Sequence, residues 1–97
     1  MSNNFFPLTA EELVNRINKI PKVKLAFLPT PLEYLPNISK DLKINLYIKR
    51  DDCTALAFGG NKTRHLEFIM AKAVSGDYDC ILTGAGSQSN WCRQTVA

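Results

Sequence analysis

The alternation of short apolar segments with amphipathic segments in the second half of the chain most constrains its fold. Residues 45–49, NLYIK, predict a strand. An amphipathic run predicts a helix with Asn61 as its N-cap and Gly76 as the residue that ends it. The apolar run CILT, residues 80–83, predicts a buried strand, and a second helix is predicted from Ser89. Because strands that alternate with helices form parallel sheets, we predict an α/β fold with a parallel βαβα unit.

The first half of the chain predicts local structure of other kinds. Thr9 and Glu12 have the spacing of a capping box, so a short helix is predicted to begin after Thr9 and to end before Pro21. Residues 27–36 contain three prolines and are predicted to be extended or turning. Residues 37–43 are predicted to form a helix of two turns.

The predicted sheet is incomplete within the 97 residues. Two parallel strands are too few for a stable sheet, because parallel sheets are covered on both faces. The last residues, RQTVA, lie within the second predicted helix and contain no glycine to end it. We therefore interpret residues 1–97 as the truncated N-terminal portion of a longer domain. The alternative is a complete small protein with a frayed terminal helix.

Composition argues against several classes of function. The net charge of +3 comes from scattered basic and acidic residues, which argues against nucleic acid or an anionic membrane as the main partner. Three cysteines without a CxxC pair and a single histidine predict neither a disulfide framework nor a metal site. No apolar run approaches the roughly 20 residues of a membrane span. Free thiols suit a reducing compartment, so we expect a cytoplasmic protein.

Two glycine-containing turns resemble nucleotide-binding motifs but lack required residues. In GGNKT, residues 59–63, Asn61 stands where a Walker A motif requires glycine before the lysine. In GAGSQSN, residues 84–90, Ser89 stands where a dinucleotide-binding fingerprint requires glycine. Neither turn therefore predicts nucleotide binding.

Lys62 lies at the start of a predicted helix, where the partial positive charge of the helix end is unfavourable for a cation. The penalty is only about 0.3–1 kcal/mol, which alone does not make a lysine a nucleophile toward carbonyl groups. Burial and a cofactor that bears an aldehyde would have to supply the rest. On this local pattern, an ordinary surface lysine is favoured over a lysine that forms an imine.

The residues at the start of the second predicted helix bear on the choice between these two interpretations of Lys62. In a βαβα unit both helix starts lie beyond the carboxyl ends of the strands, where open α/β folds bind ligands. Lys62, Gln88, Ser89 and Asn90 would then face one crevice, and its backbone N–H groups would suit a carboxylate or phenolate oxygen. The alternative stays open: Ser89 is only an N-cap and Asn90 only a turn residue.

Three motifs follow one another in the chain: KRDD at residues 49–52, GGNKTR at 59–64 and QSNxxRQT at 88–95. This combination resembles the pyridoxal 5′-phosphate enzymes of fold type II, which are tryptophan synthase beta-like. Within them it is most similar to the D-cysteine desulfhydrase and 1-aminocyclopropane-1-carboxylate (ACC) deaminase family, which also includes cysteate-type sulfo-lyases. The resemblance runs from about Pro29 to the last residue, and family members are considerably longer.

The resemblance implies pyridoxal 5′-phosphate as the cofactor and gives roles to the residues at matching positions. Lys62 would form the internal aldimine and later move the substrate's proton, and Asn90 would hydrogen-bond the cofactor's 3′ oxygen. Gln88, Ser89 and Asn90 would contact the substrate, with Ser89 near the carboxylate and the reacting carbons. Lys62 and Ser89 are therefore the expected catalytic residues.

Two positions depart from the family pattern. His65 stands where the family usually has a second lysine near the cofactor phosphate, so it is an expected cofactor contact. Trp91 stands where members often have His or Gln, and we expect it to pack against its surroundings. The family's phosphate cup, its later tyrosines and the partner of the pyridine nitrogen have no counterpart in the 97 residues.

The resemblance implies a lyase or deaminase that acts on a small amino acid and forms a homodimer when full length. A D-cysteine desulfhydrase-like activity, which converts D-cysteine to pyruvate, sulfide and ammonia, is predicted first. ACC deaminase or a sulfo-lyase is the alternative within the family. An inactive, non-catalytic fragment is the alternative from another class.

Overall fold

Helices supply most of the regular structure in the computed structural model, which describes residues 7–97. The α-helices are α1 (Ala10–Asn18), α2 (Pro36–Leu42), α3 (Lys62–Ser75) and α4 (Asn90–Val96). The strands are β1 (Leu32–Tyr34) and β2 (Tyr47–Lys49), and short 3-10 turns cover Asp51–Cys53 and Leu56–Phe58. None of the helices in this part of the chain has the length and apolar character needed to cross a membrane.

The capping box predicted for the first helix is confirmed. The Thr9 hydroxyl accepts the N–H of Glu12 at 3.2 Å, and the Glu12 carboxylate accepts the N–H of Thr9 at 2.8 Å. These two bonds satisfy backbone donors that a helix start otherwise leaves unpaired. The helix ends at Asn18, before Pro21, as predicted.

The two strands form an antiparallel pair that lies on either side of α2 in the chain. Leu32 pairs with Lys49 and Tyr34 with Tyr47, and the two tyrosine rings lie 5.2 Å apart between centroids. Ser39 of α2 is buried, and its hydroxyl accepts the N–H of Leu46 at 3.0 Å. The proline-rich segment and the run NLYIK, both predicted to be extended, are therefore partners in one sheet.

The mixed α/β class is confirmed, but the predicted parallel pairing is wrong for residues 7–97. Residues 80–83 form no strand, and the one sheet in the described region is antiparallel. Leu82 is 92% exposed, and Cys80, predicted to be a strand core residue, is exposed as well. An apolar run becomes a central parallel strand only when strands lie beside it and helices cover it. Residues 80–83 have no such neighbours here.

The core is small and rich in polar side chains. Glu67 of α3 is only 5% exposed, and one of its carboxylate oxygens accepts the N–H groups of Leu25 and Ala26, each at 3.0 Å. The Glu67 carbonyl also accepts the N–H of Val23 at 2.9 Å. Glu67 therefore does not lie on the solvated face of α3. Its carboxylate instead ties the segment before β1 to α3.

Removal of this carboxylate should destabilise the protein. We expect Glu67→Ala in the full gene product to lower the free energy of unfolding by about 2 kcal/mol, because two backbone N–H groups lose their acceptor. Glu67→Gln keeps an acceptor oxygen and should lose less. Urea unfolding measures the effect, with the exposed Glu11→Ala as the matched control. Equal midpoints for Glu67→Ala and Glu11→Ala would contradict this role.

Candidate active site

The loop that leads into α3 has an unusual backbone. Three residues other than glycine have positive φ angles: Ala55 at 76°, Ala57 at 46° and Phe58 at 68°. Gly59 and Gly60 follow with φ of 77° and 142°. A left-handed conformation costs about 1–2 kcal/mol for a residue with a Cβ, so this loop persists only where its surroundings hold it.

Thr54 holds this loop from its inner side. Its side chain is fully buried, and its hydroxyl donates to the carbonyl of Gly60 at 2.8 Å and accepts the N–H of Gly60 at 2.9 Å. The same oxygen lies 3.2 Å from the hydroxyl of Thr63, which is buried in the first turn of α3. Thr54 therefore fixes the glycine that precedes Asn61 and Lys62.

The starts of α3 and α4 lie side by side, because these two helices pack against each other. Asn61 is in the N-cap position, as predicted, but its side chain does not cap α3. Its amide oxygen instead accepts a hydrogen bond from the Nδ2 of Asn90 at 3.1 Å. Lys62, the next residue, is half-buried in the first turn of α3. The contact between Asn61 and Asn90 thus brings the starts of α3 and α4 together, although no parallel sheet in residues 7–97 produces this arrangement.

Ser89 caps α4, since its Oγ accepts the N–H of Cys92 at 3.2 Å. That bond uses the hydroxyl as an acceptor and leaves its hydrogen available for donation. The structural interpretation of Ser89 as a cap is therefore correct and is compatible with contact to a ligand. Gln88 is exposed in the turn directly before it.

His65 and Trp91, the two departures from the family pattern, meet across the same helix pair. Their ring centroids lie 6.3 Å apart in an edge-to-face arrangement with an interplanar angle of 75°. Trp91 is half-buried, whereas His65 is exposed. His65 lies one helical turn after Lys62, and Trp91 directly follows Asn90. Trp91 thus packs partly on His65.

Asp51 and Asp52 have different partners and do not form an acid/base pair. The Arg64 guanidinium donates to both carboxylate oxygens of Asp51, at 2.7 and 3.0 Å. The hydroxyl of Thr30 donates to Asp51 at 2.8 Å, and Asp52 pairs with Arg50 at 2.7 Å. Hydrogen bonds from Arg64, and then from Thr30, lower the pKa of Asp51 to about 2.

This ion pair predicts a pH-dependent contribution to stability. We expect Asp51→Asn to lose about 1 kcal/mol at pH 7, a modest value because both side chains remain in contact with water. The folded-state pKa lies below the usual 3.8, so the contribution is complete above about pH 4 and is lost as pH falls toward about 2. Urea midpoints at several pH values measure it, with the exposed Asp41→Asn as control. A wild-type advantage that stays constant down to pH 2.5 would contradict it.

The residues at the two helix starts fit an anionic cofactor that bears an aldehyde. Lys62 supplies an amine, and Asn90 has a second amide hydrogen beyond the one donated to Asn61. Ser89 supplies a hydroxyl donor, and His65 supplies exposed ring nitrogens. Residues 7–97 contain no group of three or more His, Cys, Asp or Glu side chains placed to hold a metal ion.

A cavity of about 390 Å³ lies at the opposite end of α3, where Gly76, Tyr78 and Cys80 contribute to its lining. It is separate from the helix starts that carry Lys62 and Asn90 and adds nothing to this site.

Reasoning from the sequence missed the residues that shape the site without carrying its chemistry. Thr54 and Gly60 hold the entry to α3, and Arg93 donates to two carbonyls of the same loop. Arg93 lies inside the motif QSNxxRQT, which was the available signal for it. Thr54 is the second residue after KRDD, and nothing in that pattern indicated burial.

The comparisons with known proteins agree on one family. Residues 23–97 match the sequence profile of the family described as pyridoxal-phosphate dependent enzyme. The D-cysteine desulfhydrase of Salmonella paratyphi C is 48% identical over 84 residues, which are 87% of this chain and 26% of that protein. The D-cysteine desulfhydrase of Salmonella newport is 46% identical over the same coverage.

A solved structure is also similar. The crystal structure of an ACC deaminase homologue superposes with a TM-score of 0.66 at 42% identity and covers 73% of this chain and 22% of its own. The chain therefore spans about a quarter of the length of its relatives. The predicted resemblance, its fold class and its cofactor are confirmed.

Proposed function

Since this chain belongs to the pyridoxal-phosphate dependent enzyme family, we propose that it is the N-terminal portion of a lyase or deaminase acting on a small amino acid. The favoured activity is that of a D-cysteine desulfhydrase: D-cysteine and water give pyruvate, hydrogen sulfide and ammonia. The names of the relatives at 46–48% identity support this choice. The observation that carries it is the hydrogen bond between Asn61 and Asn90, which brings the start of α3 beside the start of α4.

Lys62 is proposed to hold the cofactor covalently and to move the proton on the substrate's α-carbon. Its half-buried position in the first turn of α3 supports this role. The partial positive charge of a helix N-terminus gives a lysine no stabilising interaction there, so the position is not explained by helix stability. Pyridoxal 5′-phosphate, when bound, supplies the electron sink that makes cleavage at the neighbouring carbon possible. The protein's own task is then to position the amine and to handle protons.

The residues around Lys62 are proposed to orient the cofactor and the substrate. Asn90 uses its second amide hydrogen for the cofactor's 3′ oxygen, while the bond to Asn61 fixes the orientation of the amide. Ser89 donates its hydroxyl hydrogen to the substrate near its carboxylate, with Gln88 beside it. His65, one turn along α3, donates a ring N–H to the cofactor phosphate.

The partners and the location of the protein are proposed from its composition and its family resemblance. The substrate is a small amino acid, and neither nucleic acid nor a membrane is a partner, because the basic residues are scattered. The cysteines at 53, 80 and 92 are free thiols, which supports a cytoplasmic location. A homodimer of the full-length protein is proposed from the family resemblance.

An ACC deaminase is the second candidate. The superposition on an ACC deaminase homologue at 42% identity specifically favours it. The two reactions give different 2-oxo acids, since D-cysteine yields pyruvate and ACC yields 2-oxobutanoate, each with ammonia.

Product analysis of the full gene product distinguishes these activities. Incubation with pyridoxal 5′-phosphate and either D-cysteine or ACC should give pyruvate from D-cysteine at the higher kcat/KM. Predominant formation of 2-oxobutanoate from ACC would replace the favoured activity by the second candidate. No product from either substrate, together with no cofactor uptake, would leave the non-catalytic fragment as the correct interpretation.

A further inference from the structure

Arg93 donates hydrogen bonds to the loop of residues 55–60, which contains residues with positive φ angles. Its Nε donates to the carbonyl of Ala57 at 2.7 Å, and its Nη2 donates to the carbonyl of Gly59 at 2.9 Å. Arg93 takes part in none of the salt bridges found among residues 7–97. A guanidinium has a rigid set of donors, so two carbonyls bound at once fix the loop's position relative to α4.

The loop and α4 also meet at Gly60. A Cβ at this glycine would lie 2.8 Å from both the Nδ2 of Asn90 and the Nε2 of Gln94, so a side chain there would displace at least one of these amides. Gln94 is 2% exposed, and its Nε2 donates to the carbonyl of Leu56 at 3.4 Å. Three residues of α4 therefore contact the same loop.

The spacing of Asn90 and Arg93 along α4 explains why both side chains contact the chain segment before α3. Arg93 lies three residues after Asn90, so the two side chains lie on one face of the helix. Asn90 contacts Asn61 where the loop ends, and Arg93 contacts Ala57 and Gly59 further back. A hydrogen bond from a charged donor to the Ala57 carbonyl offsets part of the cost of the positive φ at this residue.

We propose that Arg93 is a positioning residue: it holds the left-handed loop 55–60 against α4 and thereby fixes Lys62 relative to Asn90. The consequence for cofactor attachment rests on the proposed function. The consequence for the loop itself does not, because it follows from the contacts of Arg93 with the two carbonyls.

The test compares Arg93→Met with Arg93→Lys in the full gene product and uses Arg16→Met as the matched control. Arg16 is exposed on α1, far along the chain from the loop. Hydrogen exchange follows the amides of Gly59 and Gly60, which donate to the Leu56 carbonyl and the Thr54 hydroxyl. Stopped-flow absorbance follows the attachment of pyridoxal 5′-phosphate to the apoprotein, and thermal unfolding follows global stability.

Arg93→Met removes both hydrogen bonds to the loop and should speed exchange of the two loop amides. It should also slow cofactor attachment at least about tenfold, since even one hydrogen bond from a charged donor corresponds to an effect of that size. Arg93→Lys should be intermediate, and thermal stability should resemble that of Arg16→Met. Exchange and attachment unchanged from the control would overturn the proposal. A rise in exchange throughout the protein, with an equal fall in stability, would also overturn it.

The two proposals fail in different ways. If the wild-type protein takes up no pyridoxal 5′-phosphate, the proposed function fails. The exchange of Gly59 and Gly60 then still decides whether Arg93 holds the loop.

Discussion

Replacement of Lys62 by alanine is expected to lower kcat at least about 10³-fold in the full gene product, because this one residue is proposed both to hold the cofactor and to move the substrate's proton. Thermal stability should change little, since the Lys62 side chain makes no hydrogen bond or ion pair found in residues 7–97. Pyruvate release from D-cysteine and absorbance of bound cofactor are the measurements.

Lys72→Ala is the matched control for this variant. Lys72 lies on the same helix, in its last turn, and is exposed. Its replacement removes the same atoms without touching the start of α3, so activity should stay close to that of the wild type. Full turnover in Lys62→Ala would remove Lys62 from the mechanism.

Replacement of Gly60 by alanine is expected to weaken cofactor binding by about 100-fold. Two costs combine: a φ of 142° that residues with a Cβ rarely adopt, and a Cβ placed 2.8 Å from the amides of Asn90 and Gln94. Gln94 is 2% exposed, so we expect the amide of Asn90 to be displaced and its hydrogen bond to Asn61 to weaken. Together these costs correspond to about 3 kcal/mol.

Gly84→Ala supplies the control for Gly60→Ala. Gly84 lies in the turn before α4, and a Cβ there would meet no atom within 4 Å. The dissociation constant of pyridoxal 5′-phosphate, measured by fluorescence titration of both variants, should therefore rise only for Gly60→Ala. Equal dissociation constants for the two variants would show that the approach of the loop to α4 does not shape the site.

The parts of the fold that depend on neighbours in sequence were predictable. The capping box of Thr9 and Glu12, the start of α3 after Asn61 and the cap at Ser89 all involve residues within a few positions of one another. Such contacts follow from side-chain chemistry and helix geometry. The end of α3 was also predicted, although Gly76 is extended rather than left-handed.

The parts that depend on distant partners were not predictable. Glu67 is buried because Leu25 and Ala26 donate to it from 42 and 41 residues away, and nothing near Glu67 indicates this. Residues 80–83 have the apolar pattern of a central strand, but a strand needs hydrogen-bonding neighbours that a local pattern cannot supply. The same reasoning applies to the site: GGNKTR indicated Lys62, whereas the contact between Asn61 and Asn90 spans 29 residues.

The most direct measurement of the central claim is peptide mapping after reduction with sodium borohydride in the presence of pyridoxal 5′-phosphate. Reduction makes the bond between a lysine and the cofactor permanent, so mass spectrometry of the digested gene product identifies the attached residue. We predict that the cofactor is found on Lys62, in near-stoichiometric amount. A cofactor attached to another lysine, such as Lys49 or Lys72, with Lys62 unmodified, would contradict this account of the site.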